Sequence, residues 1–478
     1  MDKIDFKDLP TYDDCINLNI NEIHDLYKNF VNPGQVEFLA SFGPGRNVVD
    51  KAQGVRIWEK SGKIILDFTG GIGVLSHGHN HPDILAVRKR FQSDSRMEVH
   101  KNYFSPYLAS LSKAISMLMP KNIDISYFCN SGAEAVEGSI KLAFKSFEGR
   151  RSRILAADIS FHGKLLGSAG LTGSPEVEFK WPTIPNIDRF EYNNINSIKK
   201  LITENRSASN ESAYYALIIE TMNASSLREC SPAFLEELRN ICTKEKIVLI
   251  FDEVYTGWSK TGELFHFMHS GVDPDIVTYS KSFGAGKASI AGYTTNREIF
   301  NRAYGKLNDS IIHSTTYNGF GEETITALEG IRINIRDNYC DRAKKIEQFL
   351  MPKLIALKNK YPDLIRDVRG KGGLLGIILN DSLPPLIKAS LKALPSDVFK
   401  DKRFFAKLIT GSLISDLYND FGILTYFGSN HEIPLIIAPS LIIEQEDLNY
   451  FLESLDKSLS KGKFNLITNF IKYKFMKK

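Results

Sequence analysis

The segment IVLIFDEV (247–254) constrains the fold more than any other stretch of the chain. Ile247, Val248, Leu249, Ile250 and Phe251 follow one another without a polar residue, so a strand here must be covered on both faces. Strands of that kind belong to parallel sheets sandwiched between helices. The pattern recurs on both sides. YYALIIE (214–220) ends on Glu220, and PDIVTYSK (274–281) ends on Lys281. Between the first two runs, SPAFLEELRNICTKEK (231–246) puts Phe234, Leu235, Leu238, Ile241 and Cys242 on one helical face, with Pro232 in the first turn. Further upstream, ISYFCN (125–130) leads into a segment where Val136, Ile140, Ala143 and Phe147 recur at helical spacing. Strand–helix alternation of this kind predicts an α/β fold with a mostly parallel central sheet covered by helices. Ligands of such sheets bind beyond the carboxyl ends of the strands, where Glu220, Asp252 and Lys281 all fall.

The flanking regions read differently. Residues 1–40 are weakly patterned and predict a helical extension, and VRIWEKSGKIILDF (55–68) predicts two short strands joined at Ser61-Gly62. From about residue 330 the order is a helix, short strands (LLGIIL, PLIIAPSL), then a helix from Asp447. We therefore expect three parts. Residues 1–95 form an extension plus part of a small domain, 96–330 a large domain, and 331–478 the α+β small domain with a basic tail. That lysine-rich tail, from Ser458 onward, reads either as a membrane-surface helix or as a terminal helix docking one apolar face.

Composition narrows the function classes. With 60 basic and 56 acidic residues among 478, the formal charge of +4 gives no electrostatic case for nucleic acid. Cysteines 15, 129, 230, 242 and 340 are scattered without metal spacing, which suits free thiols in a reducing compartment. The acidic amino-terminal stretch does not read as a secretory signal, and no run reaches the roughly 18 apolar residues that span a bilayer. A cytoplasmic protein is expected.

Asp252 and Glu253 end a buried strand, and a buried carboxylate needs a positive partner or hydrogen bonds. Three further motifs bear on what meets them. NSGAEAVEG (130–138) opens a helix, read either as a capping box between Ser131 and Glu134 or as an anion site at a helix start where Gly132 permits close approach. SFHG (160–163) offers Phe161 as a stacking face and His162 as a polar contact, each equally at home as a packing residue. SKSFGAGKAS (280–289) is not a nucleotide-binding P-loop. Lys281 stands where the first glycine is required, and Ala288 where Ser or Thr must hold magnesium. Lys281 at a strand end can instead form an imine with a carbonyl. A lysine for an imine, a carboxylate awaiting a cation, a phosphate cradle and an aromatic face together describe pyridoxal 5'-phosphate. Asp252 would then meet the pyridine nitrogen and keep the ring an electron sink, with Glu253 behind it or in a structural ion pair.

These residues sit in a recognisable series: LDFTGGIGVLSHGHNHP (66–82), FCNSGAEAVEGSIKLA (128–143), SFHGKLLGSAGLTG (160–173), IFDEVYTGWSKTGELF (250–265), PDIVTYSKSFGAG (274–286) and HSTTYNGF (313–320). In order and spacing the chain resembles the class-III (ornithine/4-aminobutyrate-like, omega) aminotransferases of fold type I, from about residue 45 to 455. The resemblance implies a pyridoxal-phosphate enzyme working as a homodimer with shared active sites. It would move nitrogen from a small amine donor to a carbonyl acceptor by a ping-pong cycle. It implies Lys281 as the Schiff-base lysine and proton shuttle, Asp252 as the pyridinium partner, and Val254 against the ring opposite Phe161. Ser131, Gly132 and Ala133 would hold the phosphate, and Thr316 would reach the phosphate of the neighbouring subunit. His162, Glu220 and Tyr255 complete the implied cofactor set.

Three departures accompany the match. Tyr255 stands where the family has Gln. The turn ETMNASS (220–226) lacks the family's proline and its second acid, with Ser225 in that place. The arginine that grips an α-carboxylate is Ile436, in IIAPSL (436–441). A hydrocarbon cannot replace a bidentate guanidinium. Either another base such as Arg228 or Lys260 takes over, or the substrates are not simple 2-oxo acids. A racemase, aminomutase or decarboxylase on the same fold stays open, as does a non-catalytic binding module.

Overall fold

A computed structural model describes residues 6–175, 182–382 and 401–475. Three strands near the amino terminus, β1 (Val49–Gln53), β2 (Arg56–Glu59) and β3 (Ile64–Asp67), form an antiparallel meander that includes the expected pair joined at Ser61-Gly62. Seven strands make the central sheet: β4 (Ile123–Cys129), β5 (Arg153–Ala157), β6 (Ile187–Phe190), β7 (Tyr214–Ile219), β10 (Val248–Asp252), β11 (Ile276–Tyr279) and β12 (Ala291–Asn296). A two-strand hairpin, β8 (Met222–Asn223) and β9 (Arg228–Glu229), interrupts the count between β7 and β10. The spatial order of the central sheet is β4-β12-β11-β10-β7-β5-β6. Every neighbouring pair from β6 to β11 is parallel, and β12 alone runs against both its neighbours.

Burial in β10 explains its composition. Leu249 and Phe251 belong to the core on one side of the sheet, Val248 and Ile250 to the core on the other, and all are at most 3% exposed. Each such side chain contributes about 1.5–3 kcal/mol by leaving water. The predicted helix over 231–246 forms as Pro232–Glu245, capped by Ser231 and ended by Lys246 in the left-handed conformation.

The carboxyl-terminal region adds β13 (Ile365–Lys371), β14 (Leu374–Leu379), β15 (Ile423–Leu424), β16 (Tyr426–Phe427) and β17 (Leu435–Ile437). Four of these make a sheet of order β13-β14-β17-β16, while β15 leaves it to pair in parallel with β3. The two ends of the chain are thus stitched together. Helices Tyr12–Asn17, Ile20–Leu26 and Pro33–Ala40 form the expected extension. Of the alternatives for the tail, the docked helix is the one seen: Gly462–Phe475 buries Leu466 and Ile467 in the hydrophobic core that also holds Leu413, Leu417 and Leu455. Among the described residues no helix is long and apolar enough to cross a membrane.

Candidate active site

The carboxyl ends of β4, β5, β7, β10 and β11 converge on one cavity of about 530 Å³. Its wall includes Gly132, Ala133, Phe161, His162, Glu220, Asp252, Val254, Tyr255 and Lys281. These come from five separate strand ends between residues 132 and 281, as the parallel topology requires. Two of the expected residues lie elsewhere. Ser131 is exposed at the helix cap beside the cavity, and Thr316 is exposed on a loop outside it.

Asp252 sits at the base of the cavity, 4% exposed and surrounded by donors. Its Oδ2 lies 2.7 Å from His162 Nδ1, which places the imidazole proton on that nitrogen. Its Oδ1 accepts from the Val254 backbone N–H at 3.0 Å and from Thr278 Oγ1 at 3.1 Å. His162 Nε2 is buried without a partner among the described residues. Glu253 turns the other way and meets no cation among the described residues, so it forms no ion pair. It accepts from the backbone N–H groups of His266 and Phe267, both at 2.9 Å, and from Thr221 and Thr256. Burial still pushes its carboxyl up to about 7.

Glu220 is buried between two loops. Its Oε2 accepts from the Phe161 N–H at 2.7 Å and from Asn223 Nδ2 at 2.6 Å, so it ties the loop carrying Phe161 to the turn after β7. Burial first, and the adjacent Asp252, push its carboxyl up to about 7. The Phe161 ring is 39% exposed, with a face open to the cavity.

Lys281 enters from the end of β11 with φ = +52°, a left-handed backbone that costs a non-glycine residue about 1–3 kcal/mol. Its Nζ lies 3.3 Å from the Ile72 carbonyl and 4.5 Å from the centre of the Tyr255 ring. Burial pulls its ammonium down to about 8, toward the neutral amine that acts as a nucleophile. Ile72 itself has φ = +58° inside the GGIG loop, a second strained residue facing the same cavity.

The helix Gly132–Ser146 aims its amino end at the cavity. Ser131 and Glu134 form a full capping box: Ser131 Oγ accepts from the Glu134 N–H at 3.3 Å, and the Glu134 carboxylate takes the N–H groups of Asn130 and Ser131 at 2.8 Å. Glu134 thus spends the Ser131 amide on the cap, while Gly132 and Ala133 at the first helical positions line the cavity. A Cβ on Gly132 would stand 2.7 Å from Val254 Cγ1, so only glycine fits.

Sequence reasoning missed other parts of the lining: Ile72, Lys164, Ser174 and Ala224, and the stretch Tyr426 to Ser429. It also missed the His162–Asp252 contact, since nothing local pairs positions 90 residues apart. Neither proposed substitute for the missing arginine reaches the cavity. Arg228 is held by Glu432 at 3.2 Å and lines a different cavity, and Lys260 is buried with its Nζ on the carbonyls of Pro439 (2.8 Å) and Ala438 (3.3 Å).

The family model described as aminotransferase class-III matches residues 43–459. The chain belongs to the class-III aminotransferase family. The family depends on pyridoxal phosphate and transfers amino groups. Among solved structures, this aminotransferase is similar to an (S)-enantioselective omega-transaminase from Thermomicrobium roseum, at 22% identity and TM-score 0.78 over 93% of this chain and 99% of that one. It is similar at 20% identity to the ornithine aminotransferase of Toxoplasma gondii, with TM-score 0.77 over 94% and 97% of the two chains. A taurine:2-oxoglutarate aminotransferase from Bifidobacterium kashiwanohense, solved in complex with PLP and glutamate, matches at 20% identity and TM-score 0.78 over 94% and 99%. At these identities the likeness establishes the fold.

Proposed function

We propose that this aminotransferase holds pyridoxal 5'-phosphate in the 530 Å³ cavity and moves an amino group from an amine or amino acid donor to a carbonyl acceptor in two half-reactions. The observation that carries the reading is the convergence of Lys281 and Asp252 on one cavity, the lysine pulled toward its neutral form and the carboxylate braced by three donors. The cavity suits the cofactor on independent grounds. The first helical amides at Gly132 and Ala133 favour an anion, Val254 and Phe161 offer apolar faces for a planar ring, and His162 fixes the Asp252 carboxylate. When bound, the cofactor supplies an electron-withdrawing ring that lets a proton leave the substrate carbon. Asp252 keeps a positive ring nitrogen paired, and Glu220 holds Phe161 in place. Lys281 Nζ would hold the cofactor's aldehyde carbon and, when free of it, would take up and return the substrate proton.

Ser131 and Thr316 take different places in this reading. Ser131 shapes the helix cap, and Thr316, exposed on this chain, meets the phosphate of a second copy in a homodimer. The pairing of β15 with β3 supports a small domain built from residues 1–95 and 331–478 around a large one at 96–330. Five free thiols suit a cytoplasmic site of action.

Borohydride reduction of the cofactor-loaded protein should fix the label on the peptide containing Lys281. An amino donor should bleach the cofactor's visible band, and a carbonyl acceptor should restore it. A racemase or decarboxylase would keep the band. No label at Lys281, or an unchanged outcome with Lys281→Ala, would sink the proposal.

A further inference from the structure

We infer that the substrate end of this cavity takes amines and carbonyls that bear no carboxylate, because a pair of tyrosines fills the place from which a cation would grip one. The inference rests on the function proposed above and deepens it.

Ile436 is fully buried in β17 and lies directly across from Tyr426 of β16 in antiparallel register, so the two side chains share a face of the sheet. Ile436 packs with Met222, Ala224 and Leu227, and Tyr255 and Tyr426 pack against the same cluster. Both tyrosines line the cavity, and their hydroxyls are hydrogen-bonded to each other. A side chain at position 436 therefore stands behind a phenol wall.

No other side chain in the wall, among the described residues of this chain, is placed to supply the missing charge. Among the described residues that line the cavity there is no arginine. Lys281 is committed to the carbonyl chemistry, and Lys164 is exposed at the rim. The acids in the wall, Glu220 and Asp252, offer a carboxylate no opposite charge. A carboxylate taken from water into such a place loses its hydration without gaining an opposite charge. The phenol pair, by contrast, is neutral. One hydroxyl proton joins the pair, which leaves the accepting hydroxyl's own proton as a single donor beside two aromatic faces. That surface suits an uncharged tail. Donor and acceptor use the cavity in turn, so both share the preference.

Matched pairs that differ only in the carboxylate test this: 2-phenylethylamine against L-phenylalanine, and 1-aminobutane against L-norvaline. The cofactor-loaded wild type should lose its visible band roughly tenfold or more faster with the amine of each pair, compared at equal concentration. Calorimetry should detect no binding of 3-phenylpropanoate at millimolar concentration. Amino acids reacting as fast as their amines, or saturable binding of that carboxylate, would overturn the inference and leave the aminotransferase reading intact. A band that no donor of either kind bleaches would instead bring down the proposed function and this inference with it. A double variant, Tyr426→Ala with Ile436→Arg, removes the wall and supplies a guanidinium. It should shift the ratio toward the amino acid by roughly tenfold, and a folded variant with an unchanged ratio would count against the inference.

Discussion

Replacing Lys260 with methionine should change the pH dependence of stability more than stability itself. The lysine is 1% exposed, its Nζ donates only to the carbonyls of Ala438 and Pro439, and burial pulls its ammonium from 10.5 down to about 7. That difference is worth about 5 kcal/mol against the charged form in the folded state. Below about pH 7 both folded and unfolded chains carry the charge, and the folded one bears the full penalty. Between about pH 7 and 10.5 the unfolded lysine binds more proton than the folded one, so stability rises with pH until the penalty is gone. Methionine fills a similar volume and does not titrate, but it leaves two carbonyls without a donor, at about 1–3 kcal/mol each. Near pH 6.5 these effects nearly cancel. Near pH 9.5 the wild type has recovered about 3 kcal/mol and Lys260→Met should be clearly the less stable. Urea denaturation of cofactor-free protein at both pH values reads this directly, and the contribution of Lys281 cancels between the two proteins. Parallel pH profiles for wild type and variant would refute the reasoning, because they would mean that the buried ammonium is not destabilised.

Three further outcomes follow from the same geometry. Labelling of cofactor-free protein by pyridoxal phosphate, trapped with borohydride and read by peptide mass, should speed up as pH rises and level off above about 8, since the neutral Lys281 amine is the nucleophile; a rate flat from about pH 7 to 9 would contradict this. Gly132→Ala drives a methyl to 2.7 Å from Val254, which should cost about 1–3 kcal/mol of stability and weaken cofactor binding roughly tenfold by equilibrium dialysis; unchanged affinity would remove Gly132 from the cradle. His77 is buried against the Gly330 carbonyl and pulled from 6.5 down to about 4, so the unfolded state protonates first as pH falls. Between about pH 6.5 and 4 wild type should lose about 3 kcal/mol that His77→Gln does not lose, measured by denaturation at both ends of that range.

The central sheet was readable because its strands carry their environment in their composition. Val248 to Phe251 are apolar at every position, and the structure covers both faces. The acids and the lysine that end these strands were equally readable, since few polar residues belong there for any reason other than a site. What stayed hidden depends on register between distant segments. Tyr426 reaches the cavity only because β16 pairs with β17, and Ile72 only because four successive residues, Gly70 to Gly73, adopt left-handed backbone. Glu253 looked as needy as Asp252 in the sequence, yet the turn at 266–267 satisfies it with backbone amides. Ser131 was read both as a cap and as a phosphate ligand. The capping hydrogen bonds are present, and its neighbours face the cavity.

Ile72 of the GGIG loop and the stretch Tyr426–Ser429 line the same cavity, yet they are separated by most of the chain. During synthesis the reactive lysine at 281 therefore leaves the ribosome well before the wall that will shelter it exists. Until the last quarter of the polypeptide arrives, its amine is open to any aldehyde in solution, and only the finished protein can choose among them.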